Sequence, residues 1–191
     1  MSRLLYLPLS KTFFIIFIAC VLWVAAGIII RKFSEKRNFS RFEMIWKILN
    51  IAALICVSMV ILHFTVFNRT PTGVHRLALR PYDTIRMAIH YGEYRREKLL
   101  NVFAYIPVGV TSSCIFEKKK RSMPAAAVSI GFILSVVSEC AQYFGTLGLA
   151  ETDDVIANTA GTAIGVLIYV MCVKIFLALS NFNAKKNDAK K

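Results

Sequence analysis

Long apolar blocks with very few charged residues alternate with short polar segments along the chain. A helix needs about 20 residues to cross a hydrocarbon core about 30 Å thick, and most of these blocks approach that length. They lack the two-residue alternation of a membrane barrel, so helices are the structure that satisfies their backbone in lipid. The pattern therefore predicts an all-α integral membrane protein with about five transmembrane helices. The blocks are Thr12 to Ile30, Ile48 to Phe67, Leu99 to Phe116, Ala125 to Phe144 and Val155 to Ser180.

The amino-acid composition supports a membrane protein and indicates which kind of partner it has. Hydrophobic residues make up 57% of the chain and charged residues 18%, a balance too apolar for a soluble surface. The net charge of +13 comes from 24 Lys and Arg against 11 Asp and Glu. These basic residues flank the apolar blocks, as they do in the cytoplasmic loops of membrane proteins. The expected partner is therefore the lipid bilayer and not nucleic acid. The five cysteines lack metal-ligand or disulfide spacing, and no cofactor is evident.

The basic residues between the blocks predict the orientation of the chain. Arg31 and Lys32 follow the first block like a stop-transfer signal, so we expect that block to remain as a helix. With five spans, the loop Arg31–Lys47, the loop Lys118–Arg121 and the C-terminal tail lie on one side of the membrane and hold 14 Lys and Arg. The N-terminal segment, the connection Asn68–Lys98 and the loop Gly145–Asp154 lie on the other side and hold 9. Because cytoplasmic segments are richer in Lys and Arg, this difference places the N-terminus outside and the C-terminus in the cytoplasm. Within the long connection, Asp83 to Lys98 could form an amphipathic helix on the membrane surface. The predicted divisions are two N-terminal helices with a basic cytoplasmic loop (1–67), a long extracytoplasmic loop (68–98), a three-helix core (99–180) and a basic cytoplasmic tail (181–191).

Polar residues that are unusual in membrane helices gather at one membrane face. The third block begins, the fourth ends and the fifth begins on the same side of the bilayer, whichever way the protein is oriented. An ionisable residue inside a membrane is expensive and by default marks a functional site. The candidate residues for a polar pocket at this face are Arg95, Arg96, Asn101, Glu139, Gln142, Asp153, Asp154 and Asn158.

Helical spacing places the small and polar residues of two spans on single faces. In the fourth span, the polar residues up to Glu139 and Gln142 fall at steps of three and four residues. In the fifth span, a G-x-x-x-G pair follows Asp154 on one face and allows a close helix contact. A polar stripe facing lipid would be costly, so we expect the fourth and fifth helices to pack together. The residues expected at helix contacts are Pro107, Gly109, Gly131, Gly161 and Gly165.

The chemistry of this cluster stays open between several interpretations. Glu139 with Asp153 and Asp154 could hold a divalent cation through carboxylate oxygens, or one of these groups could act as a general acid or base. In a structural interpretation, Glu139 pairs with Arg95 or Arg96. Asp153 or Asp154 then caps the N-terminus of the fifth helix. We favour the cap for Asp153 and a functional pocket around Glu139.

Three motifs in the second half of the chain carry a resemblance to a known family. Asn101 to Gly109 resembles N-x-x-x-F-x-P-x-G, and Glu139 to Gln142 matches E-x-x-Q. Asp153 to Gly165 matches D-D-[VI]-x-x-N-T-x-G-x-x-x-G. Together they resemble the VanZ-like family of bacterial membrane proteins. Many members carry an arginine shortly before the D-D pair; this chain does not, and Arg95 or Arg96 is the candidate substitute.

The resemblance implies a multi-pass protein of the bacterial cell membrane that is linked to low-level resistance to glycopeptide antibiotics, notably teicoplanin. Its implied partners, besides the bilayer, are a lipid-linked envelope component or the glycopeptide itself. An alternative is a membrane enzyme that acts on a lipid or cell-wall precursor, so enzymatic activity stays an open question. A small transporter is a weaker alternative, because the spans show no inverted repeat.

Overall fold

The computed structural model describes residues 9–37, 40–117 and 121–188. Within these ranges the chain forms six α-helices and two short strands, which confirms the predicted all-α architecture. The elements are α1 (Leu9–Arg37), α2 (Ser40–Leu62) continued by a π-helical turn (His63–Phe67), β1 (Arg76–Ala78), α3 (Asp83–His90), α4 (Gly92–Phe116), α5 (Met123–Phe144), β2 (Leu149–Glu151) and α6 (Thr152–Asp188).

All five predicted apolar blocks are helical. Four helical segments in the described part of the chain are long and apolar enough to cross a bilayer, and a shorter apolar segment, Phe14–Ile30, lies within α1. The protein is therefore a multi-pass membrane protein, whose orientation stays a prediction. The last eight residues of α6 fall in the segment expected as a basic tail, so the helix continues beyond the apolar block. The four longer segments are Glu43–Phe67, Gly92–Phe116, Met123–Phe144 and Thr152–Ser180.

The central helix of the bundle is α4, which contacts each of the other five helices. Half of its apolar segment is buried inside the protein, compared with 11% for the segment containing α2. Pro107 lies inside α4 without ending it, although proline lacks the N–H that would bond to the carbonyl four residues earlier. A proline is tolerated in a membrane helix when neighbouring helices and hydroxyl side chains compensate for the altered backbone bonding. The third block therefore forms the core of the protein.

A polar contact joins α1 to α2 inside the apolar region. Asn50 is fully buried; its Oδ1 accepts a hydrogen bond from Trp23 Nε1 at 2.9 Å, and its Nδ2 donates to the Trp46 carbonyl at 2.7 Å. A polar side chain that bonds across two membrane helices fixes their rotation relative to each other. The first two helices thus have their own specific packing contact, separate from the polar residues at the end of the bundle.

The long connection between α2 and α4 differs from the sequence-based expectation. A helix is present at Asp83, where one was considered, but it is shorter than Asp83 to Lys98, because α3 ends at His90, Tyr91 is extended and Gly92 begins α4. Glycine is unfavourable in a helix interior and is therefore a natural boundary. The connection also contains β1, which pairs in parallel with β2, Arg76 lying opposite Leu149. These strands have three residues each, too few for a recognisable sequence pattern.

Candidate functional site

A buried lysine organises the polar end of the bundle. Lys98, in the second turn of α4, is only 8% exposed. Its Nζ donates to a carboxylate oxygen of Glu151, the last residue of β2, and to one of Asp154, in the first turn of α6. The Asn101 side chain, one turn further along α4, also lies within hydrogen-bonding reach of Asp154. The lysine thus ties the start of the third span to the start of the fifth.

Glu139 joins the same cluster from α5. Its Oε2 accepts a hydrogen bond from the backbone N–H of Glu151 at 2.9 Å, and the residue is 8% exposed. Arg95 is exposed, and in the described ranges neither Arg95 nor Arg96 forms an ion pair. The structural interpretation, in which one of these arginines pairs with Glu139, is therefore wrong. The cation beside the carboxylates is Lys98, which lies two or three residues further along the chain, on the buried face of α4.

Gln142 is held by a residue of the long connection. Arg69 Nη1 donates to Gln142 Oε1 at 3.3 Å, and Gln142 is almost completely buried. Further along the connection, the Thr72 N–H donates to the Thr146 carbonyl at 2.8 Å, and His75 Nδ1 lies 2.7 Å from the Tyr143 carbonyl. These contacts bind the connection to the end of α5 and to the turn that follows it.

Asp153 acts as a cap, but for a different helix from the one expected. Its carboxylate accepts hydrogen bonds from the backbone N–H groups of Tyr82, Thr84 and Ile85 at 2.6, 2.9 and 3.1 Å. The Thr84 hydroxyl also donates to it at 2.6 Å. The prediction that Asp153 caps its own helix is wrong because α3 presents unpaired N–H groups directly to this side chain. A residue of the last span therefore fixes the N-terminus of α3.

Removing this cap should loosen α3. Asp153→Ala leaves three N–H groups without their charged acceptor, and hydrogen bonds to charged groups contribute about 1.5–3 kcal/mol each. We expect the amides of Thr84 and Ile85 to exchange hydrogen at least roughly tenfold faster, because each 1.4 kcal/mol is about a factor of ten. Asp83→Ala is the matched control, since Asp83 is an exposed acidic residue in the first turn of the same helix. Equal exchange in the two variants would contradict the capping role.

From the buried charged residues at the polar end toward the middle of the bundle, polar and small residues continue in layers along the interface of α4, α5 and α6. We call this arrangement the polar column. Its top layer is the ionic cluster of Lys98, Glu139, Glu151 and Asp154. Its middle layer is Tyr105, Ser135 and Asn158, in which Asn158 Nδ2 donates to Ser135 Oγ at 2.8 Å. Its bottom layer is Gly109, Gly131 and Thr162.

The glycines of the bottom layer and of α6 permit very close helix contacts. A Cβ atom on Gly161 would lie 2.1 Å from the Val102 carbonyl oxygen, and one on Gly165 would lie 2.2 Å from that of Ile106. A Cβ on Gly131 would lie 2.0 Å from Thr162 Oγ1. The expected contact between α5 and α6 is present, but the G-x-x-x-G pair faces α4. These contacts close the polar column from below.

The carboxylates at the polar end of the bundle are arranged around a lysine and the start of α3. Among residues 9–37, 40–117 and 121–188, no group of three or more His, Cys, Asp or Glu side chains is placed to hold a metal ion. Glu151 and Asp154 share the ammonium of Lys98, while Asp153 faces α3. In the described part of the chain these carboxylates are thus arranged around a lysine and α3, and the divalent cation considered from the sequence stays a prediction.

The fold and this cluster define a class: a multi-pass helical membrane protein with a buried ionic network at one end of its last three spans. Comparison with known families makes the class specific. The family model described as VanZ/LLP1 matches residues 12–176, so the chain belongs to the VanZ/LLP1 family. No match was found among curated proteins or among solved structures.

Proposed function

We propose that this protein lowers the sensitivity of a bacterial cell to glycopeptide antibiotics such as teicoplanin. In this proposal it lies in the cell membrane and engages a lipid-linked envelope component through the outward-facing end of the polar column. The observation that carries the proposal is the buried ion pairing of Lys98 with Glu151 and Asp154. Membership of the VanZ/LLP1 family supports the link to the envelope.

The energetic cost of the ionic cluster supports a functional role. Taking a lysine and two carboxylates out of water carries a desolvation penalty that their mutual attraction often fails to recover. Apolar residues of similar size would hold the three helices together at lower cost, so stability alone gives little reason for such a cluster. The excess of Lys and Arg in the other connecting segments favours an extracytoplasmic position for this end. A ligand in the outer leaflet would then have direct access to it.

Growth inhibition by teicoplanin in a susceptible Gram-positive host tests the proposal. We expect the wild-type protein to raise the inhibitory concentration, and Glu139→Gln and Asp154→Asn to return it roughly to that of the empty vector. Glutamine preserves the shape of Glu139 and its acceptor for the Glu151 N–H but removes the charge, so the substitution tests the electrostatics of the cluster. Glu93→Gln is the matched control, because Glu93 is exposed in the first turn of α4.

Two further measurements separate the ways in which this experiment can fail. The amount of each variant in the membrane fraction distinguishes loss of function from loss of folded protein. Labelling a single cysteine at Leu149, in a chain without the native cysteines, from outside the cell tests the orientation. Protection by the variants equal to that of the wild type would remove the ionic cluster from the mechanism. Absence of protection by the wild type would contradict the proposed function itself.

A second candidate function is enzymatic and is favoured by one observation. Glu139 and Lys98 are two buried ionisable groups that both contact Glu151, one at its backbone and the other at its side chain. A carboxyl group and an amine held in a site with little water are suited to proton transfer on a lipid or cell-wall precursor. Precursor profiles of cells with and without the protein distinguish the candidates. A change that depends on Glu139 favours an enzyme, and an unchanged profile alongside glycopeptide protection favours binding.

A further inference from the structure

The long connection between α2 and α4 differs from the other connecting segments in the kind of basic residue that it carries. Six of the seven Lys and Arg residues from Asn68 to Lys98 are arginine, and the seventh is the buried Lys98. In the segments predicted to be cytoplasmic, ten of the 14 are lysine. Either residue type supplies the charge that sets orientation, but arginine alone presents a planar fork of N–H donors that matches a phosphate group. Orientation therefore does not account for the choice of arginine.

Four of these arginines are exposed and have no acidic partner. Arg76 lies on β1, Arg86 on α3 and Arg95 in the first turn of α4, while Arg80 lies between β1 and α3. In the part of the chain that the structure describes, none of the four takes part in an ion pair. Their guanidinium groups are thus available to an anion outside the protein.

The exposed surface of the connection has a net positive charge. Its exposed acidic side chains are Asp83, Glu93 and Glu97. Its exposed basic side chains are the four arginines and Arg69, which also donates a hydrogen bond to Gln142. The acidic residues therefore compensate only part of the arginine charge.

Large apolar side chains are exposed among the arginines. Ile89 is 70% exposed and lies three residues after Arg86, so the two are neighbours on the surface of α3. The rings of Tyr91 and Tyr94 lie 6.3 Å apart at the start of α4, and tyrosine is enriched where a membrane meets water. The other large exposed apolar side chains of the connection are Val74, Leu77, Leu79, Tyr82 and Met87.

Several contacts hold the connection across the ends of the membrane spans. β1 pairs with β2, which leads directly into α6. The Thr152 hydroxyl donates to the Leu79 carbonyl at 3.2 Å, and Asp153 caps α3. α3 also packs against α4, the span that begins at Gly92. The exposed side chains of the connection therefore lie at the level where the spans enter the bilayer, which is the level of the lipid headgroups.

A surface that is both apolar and cationic at this level fits an anionic lipid leaflet. Apolar side chains insert at the boundary between headgroups and acyl chains, while the guanidinium groups reach the phosphates. A soluble polyanion would leave the apolar side chains in water, and a zwitterionic lipid would leave the arginine charge without compensation. Anionic phospholipid satisfies both kinds of side chain.

We propose that this surface, which we call the arginine face, binds anionic phospholipids of the leaflet that contains the polar end of the bundle. The arginine face consists of Arg76, Arg80, Arg86 and Arg95 with the exposed apolar side chains among them. The inference goes beyond the proposed function and does not depend on it, because neither a glycopeptide nor a lipid-linked envelope component takes part.

A fluorophore on α3 tests which lipids gather at the arginine face. The full-length protein, with its native cysteines replaced, carries bimane on Ile89→Cys and is placed in phosphatidylcholine nanodiscs. The same small fraction of brominated phosphatidylglycerol or brominated phosphatidylcholine is added as a quencher. A single contact between arginine and an anionic headgroup corresponds to a preference of roughly fivefold. We expect phosphatidylglycerol to be enriched near the label by about this factor, and added salt to reduce the enrichment.

Two variants with the same loss of charge show whether the preference is local. Replacing the four arginines of the arginine face with glutamine should abolish the preference for phosphatidylglycerol. The melting temperature should stay close to that of the wild type, since all four side chains are exposed. The matched control replaces four lysines near the C-terminus with glutamine and should keep the preference, because these residues belong to the opposite side of the membrane. The four lysines are Lys185, Lys186, Lys190 and Lys191.

Equal quenching by the two lipids in the wild type would overturn the proposal, since the arginines would then serve a soluble polyanion or another protein. A preference that survives in the glutamine variant of the arginine face, or that the control variant loses to the same extent, would overturn it as well. Preference in the wild type and the control, with loss in the glutamine variant, supports it. The glycopeptide assay is independent of these results, because the nanodiscs contain no antibiotic and no cell-wall precursor.

Discussion

Replacing Lys98 with methionine should lower the free energy of unfolding by about 3–5 kcal/mol, the range for removing one partner of a buried ion pair. Methionine fills a similar volume, so the loss comes from charge and not from a cavity. Glu151 and Asp154 would then face each other without a cation, in a place where their side chains are only 13% exposed. Denaturant unfolding of the purified protein in detergent micelles, followed by tryptophan fluorescence, measures the change.

A control and a compensating variant make this test specific. Lys47→Met removes a lysine that is exposed on α2 and should change stability by at most about 0.5 kcal/mol. Adding Glu151→Gln and Asp154→Asn to Lys98→Met removes the uncompensated charge and should recover most of the lost stability. Such recovery is the sign of coupling between neighbouring residues. If Lys98→Met is as stable as Lys47→Met, the ionic cluster does not hold the helices as described.

Gly161→Ala should disrupt the contact between α4 and α6. The added Cβ would lie 2.1 Å from the Val102 carbonyl oxygen and 2.9 Å from its carbonyl carbon. These are backbone atoms of a central helix, which cannot move aside as a side chain can. Overpacking costs about 1–3 kcal/mol and occasionally more, and we expect a destabilisation of at least about 3 kcal/mol.

Gly92→Ala provides the matched control for this substitution. Gly92 begins α4, and the nearest atom to a Cβ there is the end of the Arg95 side chain at 3.8 Å. Alanine is the better helix former by about 1 kcal/mol in a helix interior, so Gly92→Ala should be neutral or slightly stabilising. The same unfolding measurement applies to both variants. Similar stabilities for the two variants would contradict the close contact between α4 and α6.

The apolar pattern predicts the helices well because the bilayer imposes a length and a composition on each span. It also predicts that polar residues of three spans meet at one end, since topology alone brings those ends together. Asn101, Glu139 and Asp154 do meet there.

The rotation of α4 about its own axis decides which basic side chain these residues contact. Lys98 lies three residues before Asn101 and seven before Tyr105, a spacing that places all three on one helix face. That spacing is the signal from which Lys98 could have been identified. A basic residue just before a membrane span is also common because it sets the orientation of the span, and this more usual role hides the signal.

Contacts made by the long connection could not be read from the sequence. Arg69 reaches Gln142, and Asp153 caps α3, through pairings that join residues about seventy positions apart. Local patterns carry no information on such pairings. The helix that packs against the G-x-x-x-G face could not be read from local patterns either. Spacing shows that Gly161 and Gly165 allow a close approach, but the choice of α4 over α5 depends on how all three helices pack together.

The pairing of β1 with β2 has a consequence for how the protein is made. Arg76 lies opposite Leu149, and β2 leads directly into the last membrane span. Synthesis proceeds at about 5–20 residues per second, so β1 emerges from the ribosome roughly 4–15 s before its partner strand. The cap on α3 arrives equally late, with Asp153. During that interval the connection has neither its strand partner nor its cap, so the newly made chain depends on the cell's insertion and quality-control machinery until the fifth span is in place.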